Sequence, residues 1–97
     1  MSTYVLLLNY TDQGIRTVKD SPKRLDAARG LAQKYGAELK LVYLTLGAHD
    51  LVTVIEAASD DAVAKFVLAL GSFGNVRTTT LKAFPEAEYR KIVGALS

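Results

Sequence analysis

The chain has no cysteine, which excludes disulfides, thiolate metal sites and thiol nucleophiles. It has one histidine, so a site built from several histidines is excluded within one chain and no metal is expected. No apolar run approaches the roughly 20 residues of a membrane-spanning helix, so no membrane association is expected. Met1-Ser2-Thr3-Tyr4 puts no basic stretch ahead of the first apolar run, so no secretory signal is read and a cytoplasmic location is expected. Net charge is also scarce. Twelve Lys and Arg against ten Asp and Glu leave +2, too weak a field to imply nucleic acid.

What is present in abundance is apolar. Of the 97 residues, 49% are hydrophobic and 23% charged, enough to build a core within one domain spanning residues 1–97. A core this small needs tight packing or a partner.

Tyr4 to Tyr10 is a short apolar run that reads as a buried strand, followed by a loop at Thr11–Gly14. Ile15 to Lys19 suits a short helical turn. Ser21-Pro22 opens a helix, with Ser21 as N-cap and Pro22 at the first helical position. Leu25, Ala28, Ala32 and Tyr35 then recur on one face, and Gly36 ends it. Glu38–Leu46 and Leu51–Ala57 read as two strands of a hairpin around Gly47–Asp50. Ser59-Asp60-Asp61 starts a second helix with acids at its positive end, facing its core with Val63, Phe66, Val67 and Leu70. Gly71–Gly74 ends it. Asn75 to Phe84 is a fourth strand, with a threonine triplet favouring extension. Pro85 opens a last helix striped by Tyr89, Ile92, Val93 and Leu96.

The order βαββαβ with an added C-terminal helix predicts an α+β, ferredoxin-like fold with a four-stranded antiparallel sheet. Both main helices cover one face of such a sheet, so the other should be polar if it met water. It is not: Leu6 and Leu8 alternate with Val5 and Leu7, and Leu39, Leu41 and Tyr43 with Val42, Leu44 and Leu46. Soluble monomers rarely expose such a patch. A homo-oligomer packed sheet to sheet, in its simplest form a dimer, is therefore expected. The competing reading folds the last helix back over that face.

The same topology brings Thr11–Gly14, Gly47–Asp50 and Gly71–Asn75 to one end of the sheet. These loops hold the single histidine, and loops on a rigid scaffold often carry binding residues. The plainer reading is that turns need Gly, Asn and Asp for geometry. Asn9, Thr11, Asp12, Gln13, His49, Asp50, Asn75 and Arg77 are the candidate ligand-binding residues. His49 is the candidate catalytic base beside Asp50, set against a plain turn residue because no nucleophile accompanies it. Arg77 can hold an anion or pair with Asp50. Arg16, Lys19, Lys23 and Arg24 form a basic cluster suited to a phosphate or carboxylate, or to a solvated helix face. Gly71-Ser72-Phe73-Gly74 lacks the Lys-Ser/Thr of a phosphate loop. Leu51–Ile55 lacks the RNA-binding pattern that some proteins of this fold carry, so nucleic acid is not expected.

Asn9–Ile15, Lys19–Arg24, Tyr43–Asp50 and Ala69–Thr78 together resemble the GYD domain family over nearly the whole chain. Gly47-Ala48-His49-Asp50 departs from the Gly-x-Tyr-Asp that names the family, with His49 where the tyrosine stands. The resemblance implies the dimeric α/β-barrel group of ferredoxin-like proteins and carries over no catalytic residue. The leading functional expectation is a homo-oligomeric module that binds a small organic or anionic ligand without a cofactor, either between sheet and helices or at the loop end. A cofactor-free oxygenase or isomerase with His49 as base and a purely structural assembly module are the alternatives.

Overall fold

The computed structural model describes residues 1–96. Its strands are β1 (Ser2–Tyr10), β2 (Ala37–Leu44), β3 (Leu51–Ala57) and β4 (Val76–Ala83). Its helices are α1 (Asp12–Arg16), α2 (Ser21–Lys34), α3 (Asp60–Ser72) and α4 (Glu86–Gly94), with a 3-10 turn at Val18–Asp20. The strands form one antiparallel sheet in the order β2-β3-β1-β4. This is the expected ferredoxin-like arrangement. Among the described residues no helix is long and apolar enough to cross a membrane.

Local chemistry explains the element ends. Thr11 begins α1 where a loop was expected, because its hydroxyl accepts from the Gly14 N–H at 3.1 Å. Asp20, rather than Ser21, is the cap position of α2. The 3-10 turn runs straight into the helix, and the Ser21 N–H bonds back to the Val18 carbonyl. The Ser59 hydroxyl caps α3 by accepting from the Ala62 N–H at 3.2 Å. β2 stops at Leu44, not Leu46. The Thr45 N–H turns to the Asp50 carbonyl at 2.8 Å and leaves Leu46 99% exposed.

β2 also contains a bulge. Leu39 pairs with Ile55 and Leu41 with Val54, so Lys40 is extra and the side-chain alternation flips there. Leu39 therefore lies on the face opposite to Leu41 and Tyr43, which a uniform alternation does not predict. Ala37 and Leu39 before the bulge join Val42 and Leu44 after it on the helix side.

The core lies between that side and the helices. Tyr4, Leu6, Leu8, Leu39, Ile55, Ala57 and Val76 meet Ala28 and Ala32 of α2 and Ala62, Val63 and Phe66 of α3. α3 fills its share with Phe66, whereas α2 buries only alanines. The opposite face carries apolar rows. One is Leu41, Val54, Val5 and Leu81, and the next is Tyr43, Val52, Leu7 and Thr79.

α4 does not fold back over those rows. None of its residues is buried, and Tyr89, Ile92 and Val93 are exposed. The Cα radius of gyration is 14.5 Å and the longest extent 52 Å, against about 12.5 Å expected for the radius of a compact chain of this length.

Candidate functional site

The three loops do converge, and hydrogen bonds show what their polar side chains do there. The Asp50 N–H donates to the Leu8 carbonyl, and the Asp50 carboxylate accepts from the Tyr10 N–H, both at 2.9 Å. Asn9 Nδ2 donates to the Ala48 carbonyl at 2.8 Å. That bond fixes the Asn9 amide, so Asn9 Oδ1 is the acceptor for His49 Nδ1 at 2.8 Å. His49 and Asp50 thus turn to separate partners, and Asp50 spends its carboxylate on backbone instead of on Arg77. Asn9, His49 and Asp50 latch the β2–β3 loop onto β1.

A second latch joins α1 to the segment before β4. The Thr11 N–H donates to the Asn75 carbonyl at 3.1 Å, and the Thr11 hydroxyl donates to the Gly74 carbonyl. Gln13 Nε2 donates to the Phe73 carbonyl and to Asn75 Oδ1, each at 3.0 Å. Gly74 permits the approach, since its φ of +84° suits glycine and an added Cβ would stand 3.2 Å from Gln13 Nε2. Asp12 stands exposed in the first turn of α1. Arg77 lies opposite Asn9 in register, with its guanidinium beside Gly71 of α3. Among the described residues no group of His, Asp or Glu is placed to hold a metal ion.

A cleft of about 850 Å³ opens instead between α2 and the sheet, within the size range of small-molecule sites. Its floor includes Leu6, Leu8, Leu39, Val42, Leu51 and Thr53. One wall is the α2 face from Ser21 to Lys34, and Phe66, Leu70 and Phe73 close the α3 side. α2 lines the cleft with Leu25 and Leu31 and, between them, with Ala27, Ala28 and Gly30, whose small size leaves space above β2. Of the eight candidate binding residues only Asn75 reaches it, at the loop end.

Two polar residues of this lining, Thr53 and Arg24, lie outside the eight candidate binding residues. Thr53 is 4% exposed, and its Oγ1 has no hydrogen-bond partner among the described residues. Such a hydroxyl costs about 1–3 kcal/mol. Its only sequence signal is a hydroxyl in the middle of Leu51-Val52-Thr53-Val54-Ile55, where β-propensity alone explains a threonine. Arg24 belongs to the basic cluster, yet it is half-buried and turned inward. It donates to the Thr17 carbonyl, the Thr17 hydroxyl and the Gly14 carbonyl at 3.0, 2.9 and 3.1 Å.

At the far end of the sheet, the hydroxyl of the buried residue Tyr4 donates to the exposed Asp60, which Lys82 also contacts at 3.2 Å. The Tyr4 hydrogen bond, and then Lys82, hold the Asp60 carboxyl below its ordinary value. The same bond, and then burial, push the Tyr4 phenol up.

Comparison with solved structures finds the fold elsewhere. The feast or famine regulatory protein from M. tuberculosis, complexed with L-methionine, superposes with a TM-score of 0.67 at 19% identity, covering 88% of this chain and 51% of that one. A mutant of that regulatory protein gives the same TM-score at 18% identity, again covering 88% of this chain and 51% of that one. This chain thus spans about half the length of those structures. A Thermus thermophilus protein named "Glutamine synthetase and cystathionine beta-lyase binding protein" is 36% identical over 89 residues, covering 91% of this chain and 94% of that protein. The GYD domain model matches residues 4–93, and with that match spanning nearly every element described above, the chain belongs to the GYD domain family.

Proposed function

We propose that this protein is a single-domain, homo-oligomeric module that binds a small organic ligand in the cleft between α2 and the sheet. The cleft itself carries the reading: about 850 Å³ of mainly apolar lining inside a domain of 97 residues. A domain this small gains from filling such a space, so leaving it open favours an occupant. The loop-end cluster supports binding less well, because Asn9, Thr11, Gln13, Asp50 and Asn75 already satisfy one another and the backbone. The enzyme alternative has little support, since His49 lies outside the cleft lining and its ring is oriented by an amide instead of a carboxylate.

The oligomer is supported by the uncovered sheet rows and the α4 stripe, which a second copy would bury together. The Thermus relative's name, which speaks of binding two enzymes, adds a second reading in which the α4 stripe docks on an enzyme partner.

The neutral fluorophore N-phenyl-1-naphthylamine tests the cleft. One molecule per chain should bind the wild type, and Ala27→Trp, which sets an indole over the mouth, should abolish it. Undiminished binding to Ala27→Trp would place the fluorophore elsewhere and remove the reading's support. Light scattering over a dilution series tests assembly, with Val54→Lys expected to give monomer. A wild type that is already monomeric refutes self-association.

A further inference from the structure

The cleft reading names no ligand, but the charge at its mouth narrows the class. Resting on that reading, we propose that the cleft takes a monoanionic acid with an apolar tail, its carboxylate on Arg24 and its tail along the sheet floor toward Leu39.

A guanidinium has five N–H donors. Arg24 Nη1 uses both of its own on Thr17, and Nη2 uses one on Gly14. Nε–H and the second Nη2–H have no protein partner among the described residues. All three acceptors are uncharged, and no carboxylate among the described residues lies within ion-pair distance. Arg24 is therefore a half-buried cation in the wall of an apolar cleft, held still by backbone and lacking a counter-charge. A carboxylate supplies that charge, and the two spare donors suit its two oxygens. Because the guanidinium is already fixed, binding does not have to order it.

α2 points the same way. Its first turn holds Lys23 and Arg24 and no acid, and Asp20 makes no side-chain cap bond. The one carboxylate at the positive end of the helix is thus that of Asp20, at the cap position and not bonded to the first-turn N–H groups. Thr53 lies in the same lining, and its buried hydroxyl has no hydrogen-bond partner among the described residues. From Arg24 to Lys34, both in the lining, α2 rises about 15 Å at 1.5 Å per residue. An eight-carbon acid is shorter than that span.

The experiment displaces N-phenyl-1-naphthylamine from the full chain with octanoate or with 1-octanol, which share a tail and differ in charge. Octanoate should compete at a concentration lower by about tenfold or more. Arg24→Met should erase that preference while 1-octanol still competes, and Lys23→Gln should keep it. In the wild type the Arg24 side-chain Nε–H resonance should move with octanoate and stay still with 1-octanol, a readout that does not need the variant to fold. Equal competition by the two probes overturns the anionic class and leaves the cleft standing. Fluorophore that never binds removes the cleft as well. A preference that survives Arg24→Met, or an unmoved Nε–H resonance, overturns the assignment to Arg24.

Discussion

Gly14→Ala is expected to cost more stability than any other single methyl added to this chain's glycines. A Cβ on Gly14 would lie 1.9 Å from the Asn75 carbonyl oxygen and 2.8 Å from its carbon. Both atoms are backbone, so no rotamer change relieves the contact. To regain ordinary van der Waals separation, α1 and the segment before β4 must part by more than an ångström. That movement strains or breaks the Thr11 N–H to Asn75 bond at 3.1 Å, the Thr11 bond to Gly74 and the two Gln13 bonds. Overpacking costs about 1–3 kcal/mol, and each lost hydrogen bond adds roughly 0.5–1.5 kcal/mol. A loss of about 3–4 kcal/mol is expected, a large share of the 5–15 kcal/mol of a typical domain. In a domain of this size that lowers Tm by roughly 15–25 °C. Urea titration at fixed protein concentration reads the change directly, with Gly30→Ala as the control. Gly30 sits within α2 with nothing inside 4 Å of its Cβ position. There alanine should stabilise by about 0.5–1 kcal/mol. If Gly14→Ala falls within about 0.5 kcal/mol of wild type, the ordinary range for surface changes, the close approach is wrong.

Thr53→Val keeps the side-chain shape and removes the unpartnered hydroxyl, so the ligand-free protein should gain about 1 kcal/mol. A destabilised variant in chemical denaturation would mean that the hydroxyl has a partner. Tyr4→Phe should let the Asp60 carboxyl rise toward its ordinary 3.8, read by carbon-detected NMR titration, and an unmoved midpoint refutes the coupling. The signs differ at the two ends of the pH range. The lowered Asp60 value gives stability that is present above about pH 4 and lost as pH falls through the folded value. The raised Tyr4 value gives stability that is present below pH 10 and lost as pH rises through the folded value. Both losses should shrink in Tyr4→Phe.

The alternating apolar runs and capped helices made the strand and helix order legible in the residues themselves, because period and punctuation are local properties. Pro22, Gly36 and Ser59 each sit within two residues of a real helix end. The convergence of the loops followed from connectivity alone. The bulge at Lys40 did not, because an extra residue in a ladder is visible only against its partner strand. Nor did the fate of the loop side chains. Asn9, His49 and Asp50 have the chemistry of a site, and only contacts nearly 40 residues away turn it into a latch.

The sequence by itself determined the class of the protein: an α+β sandwich of one sheet and two main helices, with apolar residues on both faces of that sheet and no means for thiol chemistry. Tertiary structure decided where the space lies. Arg24 reads as one of four cations on a helix until Thr17 and Gly14 turn it inward. Thr53 reads as an ordinary strand residue until the packing of α2 leaves its hydroxyl alone. Both are properties of what is missing around a side chain, and a cavity or an absent counter-charge has no residue of its own to announce it.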